Sequence, residues 1–172
     1  MFENDTVELN QIPHYQEVDF NSLHSDYVKI LRMNAAITLF VGLAISTALF
    51  FVFEDFERFY FIGAVLFVFL NIAIFPLIAY KKKKYAFRQH DAIYSSGLIF
   101  KSTHIIPYIR LQHVVIKQGW YAKRLGLAAL QLHTAANDNI DVTIPGLTLE
   151  DAERWKSYLV NRLQELEDET EA

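Results

Sequence analysis

Residues 34–53 read NAAITLFVGLAISTALFFVF, and residues 59–80 read FYFIGAVLFVFLNIAIFPLIAY. Neither run contains a charged side chain. A helix of about 20 residues rises about 30 Å, which matches the hydrocarbon core of a bilayer. Helices that are apolar on every face over this length would need a far larger protein around them to form the core of a soluble fold. The two runs therefore predict two transmembrane helices.

Five residues, 54–58, separate the two runs, so the helices form an antiparallel hairpin whose ends lie on the same side of the membrane. This connector contains three acidic residues and one arginine. The outer ends of the hairpin are basic instead, with Lys29, Arg32, Lys81, Lys82, Lys83 and Lys84. Because cytoplasmic flanks of membrane helices are enriched in lysine and arginine, this asymmetry predicts that both termini are cytoplasmic.

A few small or polar residues inside the two runs favour close helix packing. Gly42 and Ser46 form a small-xxx-small pair, and counting by depth places Asn71 of the second run nearly level with Gly42. Close approach at this level would let the Asn71 amide form a hydrogen bond across the helices. Neither run contains an ionisable group, which argues against a transport path. The hairpin is therefore expected to be an anchor.

After the four lysines, short stretches of alternating polarity replace the long apolar runs. They predict strands at residues 85–89, 92–95, 98–106, 109–117, 128–134 and 140–144, with a bulge near Gln112 and His113. Residues 118–126 are predicted to be a loop, residues 137–139 a turn, and Pro145 with Gly146 the end of the sheet.

One amphipathic helix is predicted to close the domain. Thr148 and Asp151 form a capping box at its start. Its apolar face consists of Ala152, Trp155, Leu159, Leu163 and Leu166. The acidic residues 168–172 are expected to fray from its end. Six or seven strands with a final helix make an α+β domain, and pattern alone does not separate a pleckstrin-homology (PH) sandwich from other small barrels.

The 172 residues thus divide into a juxtamembrane segment, 1–33, a transmembrane hairpin, 34–80, a soluble domain, 81–167, and an acidic tail, 168–172. Residues 1–28 are expected to dock partly onto the domain through Phe20, Leu23 and Tyr27. The net charge of −4 supplies no basic field for binding nucleic acid. The chain has no cysteine, which excludes disulfides, thiolate nucleophiles and cysteine-ligated metals.

Motifs for catalysis or cofactor binding are absent from the sequence. It contains no P-loop, no dinucleotide glycine motif, no nucleophile elbow and no paired-carboxylate signature, so no enzyme activity and no cofactor are expected. His104, His113 and His133 would give a zinc site if they converged, because three imidazoles bind Zn²⁺. Since no further ligand recurs at a suitable spacing, we interpret them as ordinary strand histidines.

Residues 97–136, GLIFKSTHIIPYIRLQHVVIKQGWYAKRLGLAALQLHTAA, with IPGLTLEDAERW at 144–155, give the soluble part a recognisable signature. It resembles the bacterial membrane-anchored PH-domain family typified by YdbS-like proteins, and the likeness extends through the hairpin and residues 23–32. The positions that carry the resemblance are Gly97, Pro107, Gln118, Gly119, Arg124, Gly126, Leu127, Thr134 and Ala135. One departure is Ala136, where a glycine often follows the Thr-Ala pair.

The resemblance implies a PH-like domain, built as a β-sandwich or partly open barrel of about seven strands with a C-terminal capping helix. It also implies residence in a bacterial inner membrane and no known catalysis. The partners it implies are a larger membrane protein with several such domains, or further copies of this chain. The bilayer itself is the other expected partner.

Two sets of residues are candidates for contact with lipid or a partner protein. The first is Lys81, Lys82, Lys83 and Lys84, for which a simple stop-transfer flank is the favoured interpretation. The second is Trp120, Tyr121, Lys123 and Arg124, for which the favoured interpretation is a loop whose aromatic rings pack inward while Arg124 bonds to nearby carbonyls. The first turn of the domain offers only His90 and Asp91, which disfavours a phosphoinositide pocket.

The leading functional hypothesis from the sequence is a non-enzymatic scaffold or assembly subunit at the inner leaflet. The runner-up is a module that senses anionic lipid or serves in envelope stress or antimicrobial defence. A component of a small transporter would require more helices than this chain supplies unless it oligomerises.

Overall fold

The computed structural model describes residues 18–52, 56–134 and 141–171. A two-residue strand, β1 (Asn21–Ser22), precedes two long helices, α1 (Tyr27–Val52) and α2 (Glu57–Ala79). Both helices are long and apolar enough to cross a membrane. Helix α1 begins seven residues before the apolar run at residue 34, because its first two turns extend toward the soluble domain. A 3-10 turn (Tyr80–Lys82) follows α2.

The two helices pack against each other at Gly42, which is buried. A Cβ atom added to Gly42 would lie 2.7 Å from Cγ of Phe69, so the missing side chain is what lets α2 approach. Ser46 is also buried, and its hydroxyl donates to the Gly42 carbonyl. The prediction of an interhelical hydrogen bond from Asn71 is wrong. Its amide donates to the Phe67 carbonyl one turn back on the same helix, at 2.8 Å, and the side chain stays exposed.

The soluble part contains two antiparallel sheets. Their strands after β1 are β2 (Lys84–Phe87), β3 (Asp91–Ser96), β4 (Ser102–Pro107), β5 (Leu111–Lys117), β6 (Leu127–Thr134) and β7 (Val142–Thr148). The first sheet has the order β1-β2-β3-β4 and the second the order β5-β6-β7. The two long apolar helices, the antiparallel strands in two sheets and the final helix agree with the predicted hairpin and α+β domain.

The local predictions for the strands had mixed outcomes. The bulge near Gln112 is confirmed, since the β5–β6 register shifts between Leu111 and His113. The predicted end of the sheet at Pro145 and Gly146 is wrong, because β7 runs through both residues. Strand β4 begins at Ser102, so residues 98–101 are not part of it. The predicted loop 118–126 contains a short helix, α3 (Trp120–Arg124). The predictions for residues 135–140 lie outside the described residues.

Helix α4 (Leu149–Glu171) closes the domain, as predicted, and continues past residue 167, where fraying was expected. It packs mainly on the strands of the second sheet. The N-terminal cap that Thr148 and Asp151 predict is present: the Asp151 amide donates to the Thr148 hydroxyl, which in turn donates to the Asp151 carboxylate. Ala152 and Leu159 of α4 are fully buried in one hydrophobic core that both sheets share. Trp155 stacks on Phe87 of the first sheet, with ring centroids 4.2 Å apart.

Residues 21–24, which precede α1, also pack on the domain, in agreement with the expected partial docking of residues 1–28. Asn21 and Ser22 pair with Tyr85 and Lys84 of β2. Leu23 belongs to the hydrophobic core, and the His24 amide donates to the Gly146 carbonyl at 2.8 Å. The chain is therefore anchored to the domain on both sides of the hairpin, once before α1 and once where α2 leads into β2.

Gly146 is the point where the start of α1 contacts β7. Its φ of +68° lies in the left-handed region, and a Cβ atom there would lie 2.9 Å from Cγ of Tyr27. We predict that Gly146→Ala destabilises the protein by more than the backbone cost of about 1–2 kcal/mol, because the methyl group also displaces Tyr27. The thermal unfolding midpoint in detergent measures the loss.

Gly126→Ala is the matched control for this substitution. Gly126 also has a positive φ, +65°, but a Cβ atom there would meet nothing within 4 Å. The control therefore carries the backbone strain without the steric contact. Equal losses of stability in the two variants would show that the contact between Gly146 and Tyr27 contributes nothing.

Candidate functional site

The register of the first sheet determines which of its loops lies near the membrane helices. Strand β2 begins at Lys84, just after α2 and the 3-10 turn. Strand β3 returns antiparallel to it, with Ser95 opposite Lys84. The loop between β3 and β4, residues 97–101, therefore lies at the helix end of the sheet, whereas the turn at Gln89 and His90 lies at the far end.

The four lysines after α2 do not form one uniform patch. Lys81, Lys82 and Lys84 are exposed, whereas Lys83 is half-buried. Burial lowers the pKa of the Lys83 ammonium, because desolvation disfavours the charged form. We infer that Lys83 belongs to the base of the domain and that the other three lysines supply the exposed charge.

An open cleft of about 600 Å³ lies between the exposed lysines and the β3–β4 loop. Its lining residues are Phe20, Lys82, Lys84, Ser95, Gly97, Leu98 and Lys101. The sequence pattern missed Phe20, Leu98 and Lys101 as parts of this site. The available signal is the tripeptide Leu-Ile-Phe between a turn glycine and a lysine, but these apolar residues also fit the predicted strand 98–106.

Helix α3 carries the second predicted set of residues. The Trp120 side chain is 66% exposed, so the favoured interpretation of inward packing is wrong for this residue. The Arg124 guanidinium lies over the Trp120 ring, 5.6 Å from its centroid. Tyr121 is half-buried, and both aromatic residues line a cleft of about 360 Å³ whose other wall includes Ile30 and Met33 of α1. The aromatic pair thus lies beside the first turns of the first membrane helix.

The three histidines considered for zinc do not converge. His104 lies on β4 in the first sheet and pairs with the Ser102 hydroxyl. His113 and His133 stack in the second sheet with ring centroids 4.2 Å apart, and Nδ1 of His133 lies 2.7 Å from the Asp141 carboxylate. Within the described ranges, no group of three or more potential ligands could hold a metal ion.

Tyr108 and the ion pair of Arg88 and Asp91 form a polar cluster near the far end of the first sheet. The buried Tyr108 hydroxyl donates to the Arg88 carbonyl at 2.7 Å. Burial raises the pKa of Tyr108, and the hydrogen bond with Asp91 raises that of Arg88. These shifts preserve the neutral tyrosine and the charged guanidinium, so we assign the cluster a structural role.

Comparisons with known proteins agree with this architecture. The family model described as "Bacterial PH domain" matches residues 35–165, which includes the hairpin. The chain is 28% identical over 155 residues to "UPF0699 transmembrane protein YdbS" of Bacillus subtilis (strain 168), with 87% of this chain and 95% of that protein covered. No solved structure matches the chain.

Proposed function

Because this chain belongs to the bacterial PH domain family and is YdbS-like, we propose that it is a non-enzymatic assembly subunit of the bacterial inner membrane. In this proposal the hairpin holds the PH-like domain at the inner leaflet. The domain and hairpin then bind a second membrane protein or another copy of this chain. A larger protein with several PH-like domains is the partner class that the resemblance implies.

The exposed amide of Asn71 is the observation that best supports assembly through the membrane helices. It lies between Phe59 and Tyr80, within the uncharged run of α2. The amide nitrogen of Asn71 donates one hydrogen bond to the Phe67 carbonyl of the same helix. The side chain is still exposed, beside Ile72 and Phe75 in a shallow cleft. An exposed amide in hydrocarbon favours a partner helix that can satisfy its remaining groups.

The edge of the first sheet offers a second contact surface in the soluble domain. Strand β4 is the last strand of that sheet, and Ile105 on it is 48% exposed. An exposed edge strand presents unpaired backbone groups to which an extended segment of another chain can add. This edge supports a protein partner rather than a small-molecule substrate.

We predict that Asn71→Leu weakens self-association of the full chain in mild detergent. Interhelical hydrogen bonds of this kind contribute about 1 kcal/mol, which corresponds to about a fivefold higher dissociation constant. Light scattering coupled to size exclusion measures the mass of the particle as the protein is diluted.

Thr47→Val is the matched control, because the Thr47 hydroxyl is an exposed polar group on α1 that bonds to the Leu43 carbonyl of its own helix. It should leave the dissociation constant unchanged. A wild-type particle that is strictly monomeric and retains no partner from native membranes would overturn the assembly proposal.

The proposed orientation places the acidic connector outside the cytoplasm and the lysines inside it. Because the chain has no cysteine, single substitutions test this directly. We predict that Glu57→Cys reacts with a membrane-impermeant maleimide added to spheroplasts and that Lys81→Cys reacts only after lysis. Labelling of both positions from the same side before lysis would contradict the hairpin topology.

The exposed Trp120 supports a second candidate function, a module that senses anionic lipid or serves in envelope defence. Exposed tryptophan beside arginine, next to the first turns of a membrane helix, is typical of side chains at the lipid interface. In this alternative the exposed lysines after α2, with Lys123 and Arg124, bind the head groups.

The chain has two tryptophans, so replacing one of them allows the lipid contact of the other to be measured by fluorescence. In Trp155→Phe, fluorescence comes from Trp120 alone, and we predict strong quenching by lipids that carry bromine near the head group. Trp120→Phe is the control, because Trp155 stacks on Phe87 inside the domain and should be quenched little. Equal quenching of the two variants would exclude a specific lipid contact at α3.

A further inference from the structure

The loop between β3 and β4 exposes three consecutive apolar side chains. Leu98 is 36% exposed, Ile99 73% and Phe100 89%, and Lys101 follows them. Contiguous apolar exposure of this kind marks a surface that is covered in the working state of a protein. Gly97 holds the tip in place: its φ is +116°, and a Cβ atom there would lie 1.9 Å from the Phe100 carbonyl oxygen.

The position of this loop indicates what covers it. Ser95 lies opposite Lys84, so the residues after it extend past the start of β2 toward the end of α2. At about 3.3 Å per extended residue, the tip reaches roughly 7–10 Å beyond the level of Lys84. Lys82, which follows α2 by three residues, lines the same cleft as Leu98. The tip is thus next to the place where the chain leaves the hydrocarbon.

The charge beside the tip matches an anionic membrane surface. Lys82, Lys84 and Lys101 line the cleft, and the described part of the chain contributes no carboxylate to its lining. Among the described residues, none of these three lysines forms an ion pair. Three lysines around one open cleft suit a phosphate group, and each basic residue near an anionic surface contributes about 1 kcal/mol of attraction.

We propose that the β3–β4 loop is a second membrane anchor. Ile99 and Phe100 enter the lipid interface, and the lysine cleft holds the phosphate of an anionic lipid. This inference needs no protein partner, so it goes beyond the assembly function, and it assigns a role to loop residues 98–101, which lie outside the four-lysine run and α3. A second copy of the chain covering the same tip is the competing arrangement.

Cysteine substitutions in the full chain test the insertion. Ile99→Cys and Phe100→Cys, each labelled with bimane and reconstituted in nanodiscs of phosphatidylcholine and phosphatidylglycerol, should be quenched several-fold more by spin-labelled lipids than His90→Cys. His90 is the matched control because it is exposed at the opposite end of the same sheet. Equal quenching at positions 90, 99 and 100 would overturn the insertion.

A separate pair of variants tests the phosphate contact. With bimane at position 100, quenching by spin-labelled phosphatidylglycerol should exceed quenching by spin-labelled phosphatidylcholine. The combined change Lys82→Gln and Lys101→Gln should abolish that preference. The control is the combined change Arg154→Gln and Lys156→Gln on α4, which removes the same amount of charge outside the cleft. This control should retain the preference for phosphatidylglycerol.

Two further outcomes would overturn the proposal in different ways. If the preference for phosphatidylglycerol survives in the cleft variant, the lysines do not hold the anionic head group. If neither lipid quenches position 100 while a Phe100→Cys chain crosslinks to another copy, the tip is a protein interface. Neither outcome depends on whether Asn71 drives self-association.

Discussion

The attachment of one soluble domain to both ends of one membrane hairpin is the constraint on which the rest of the structure depends. After α2 the chain passes through a single 3-10 turn into β2, and before α1 the strand β1 pairs with that same β2. The amide of His24 and the ring of Tyr27 then fix the start of α1 against Gly146. Because no free linker separates hairpin and domain, the surfaces at the helix end of the sheets lie close to the bilayer.

Much of this architecture could be predicted from the sequence because it follows from local physical rules. Twenty uncharged residues specify a membrane span, and Thr148 with Asp151 specifies a helix start. The bulge after Leu111 could be predicted because the apolar residues of this strand change from odd to even positions there. The course of β7 could not be predicted in this way. Pro145 is tolerated because β7 is the outer strand of its sheet and the β6–β7 register shifts at Pro145 and Gly146, which are not among the paired residues.

The candidate site was less predictable, because exposure is decided by neighbours that are distant in sequence. Lys83 is adjacent to two exposed lysines and yet is half-buried, since the strand and turn around it pack on the domain. Asn71 donates to the Phe67 carbonyl, which lies one turn back on its own helix. Leu98, Ile99 and Phe100 follow the alternation of a strand only in part, and their position at the helix end of the sheet depends on the register between β2 and β3.

The pairing of β1 with β2 also has a consequence for biosynthesis. Residues 21–22 leave the ribosome before either membrane helix, and residues 84–85 leave it after both. The first sheet is therefore incomplete until the whole hairpin has passed through the insertion machinery. If one helix failed to insert, β1 and β2 would lie on opposite sides of the membrane and could not pair. The complete first sheet can therefore form only in a chain whose two helices have both inserted.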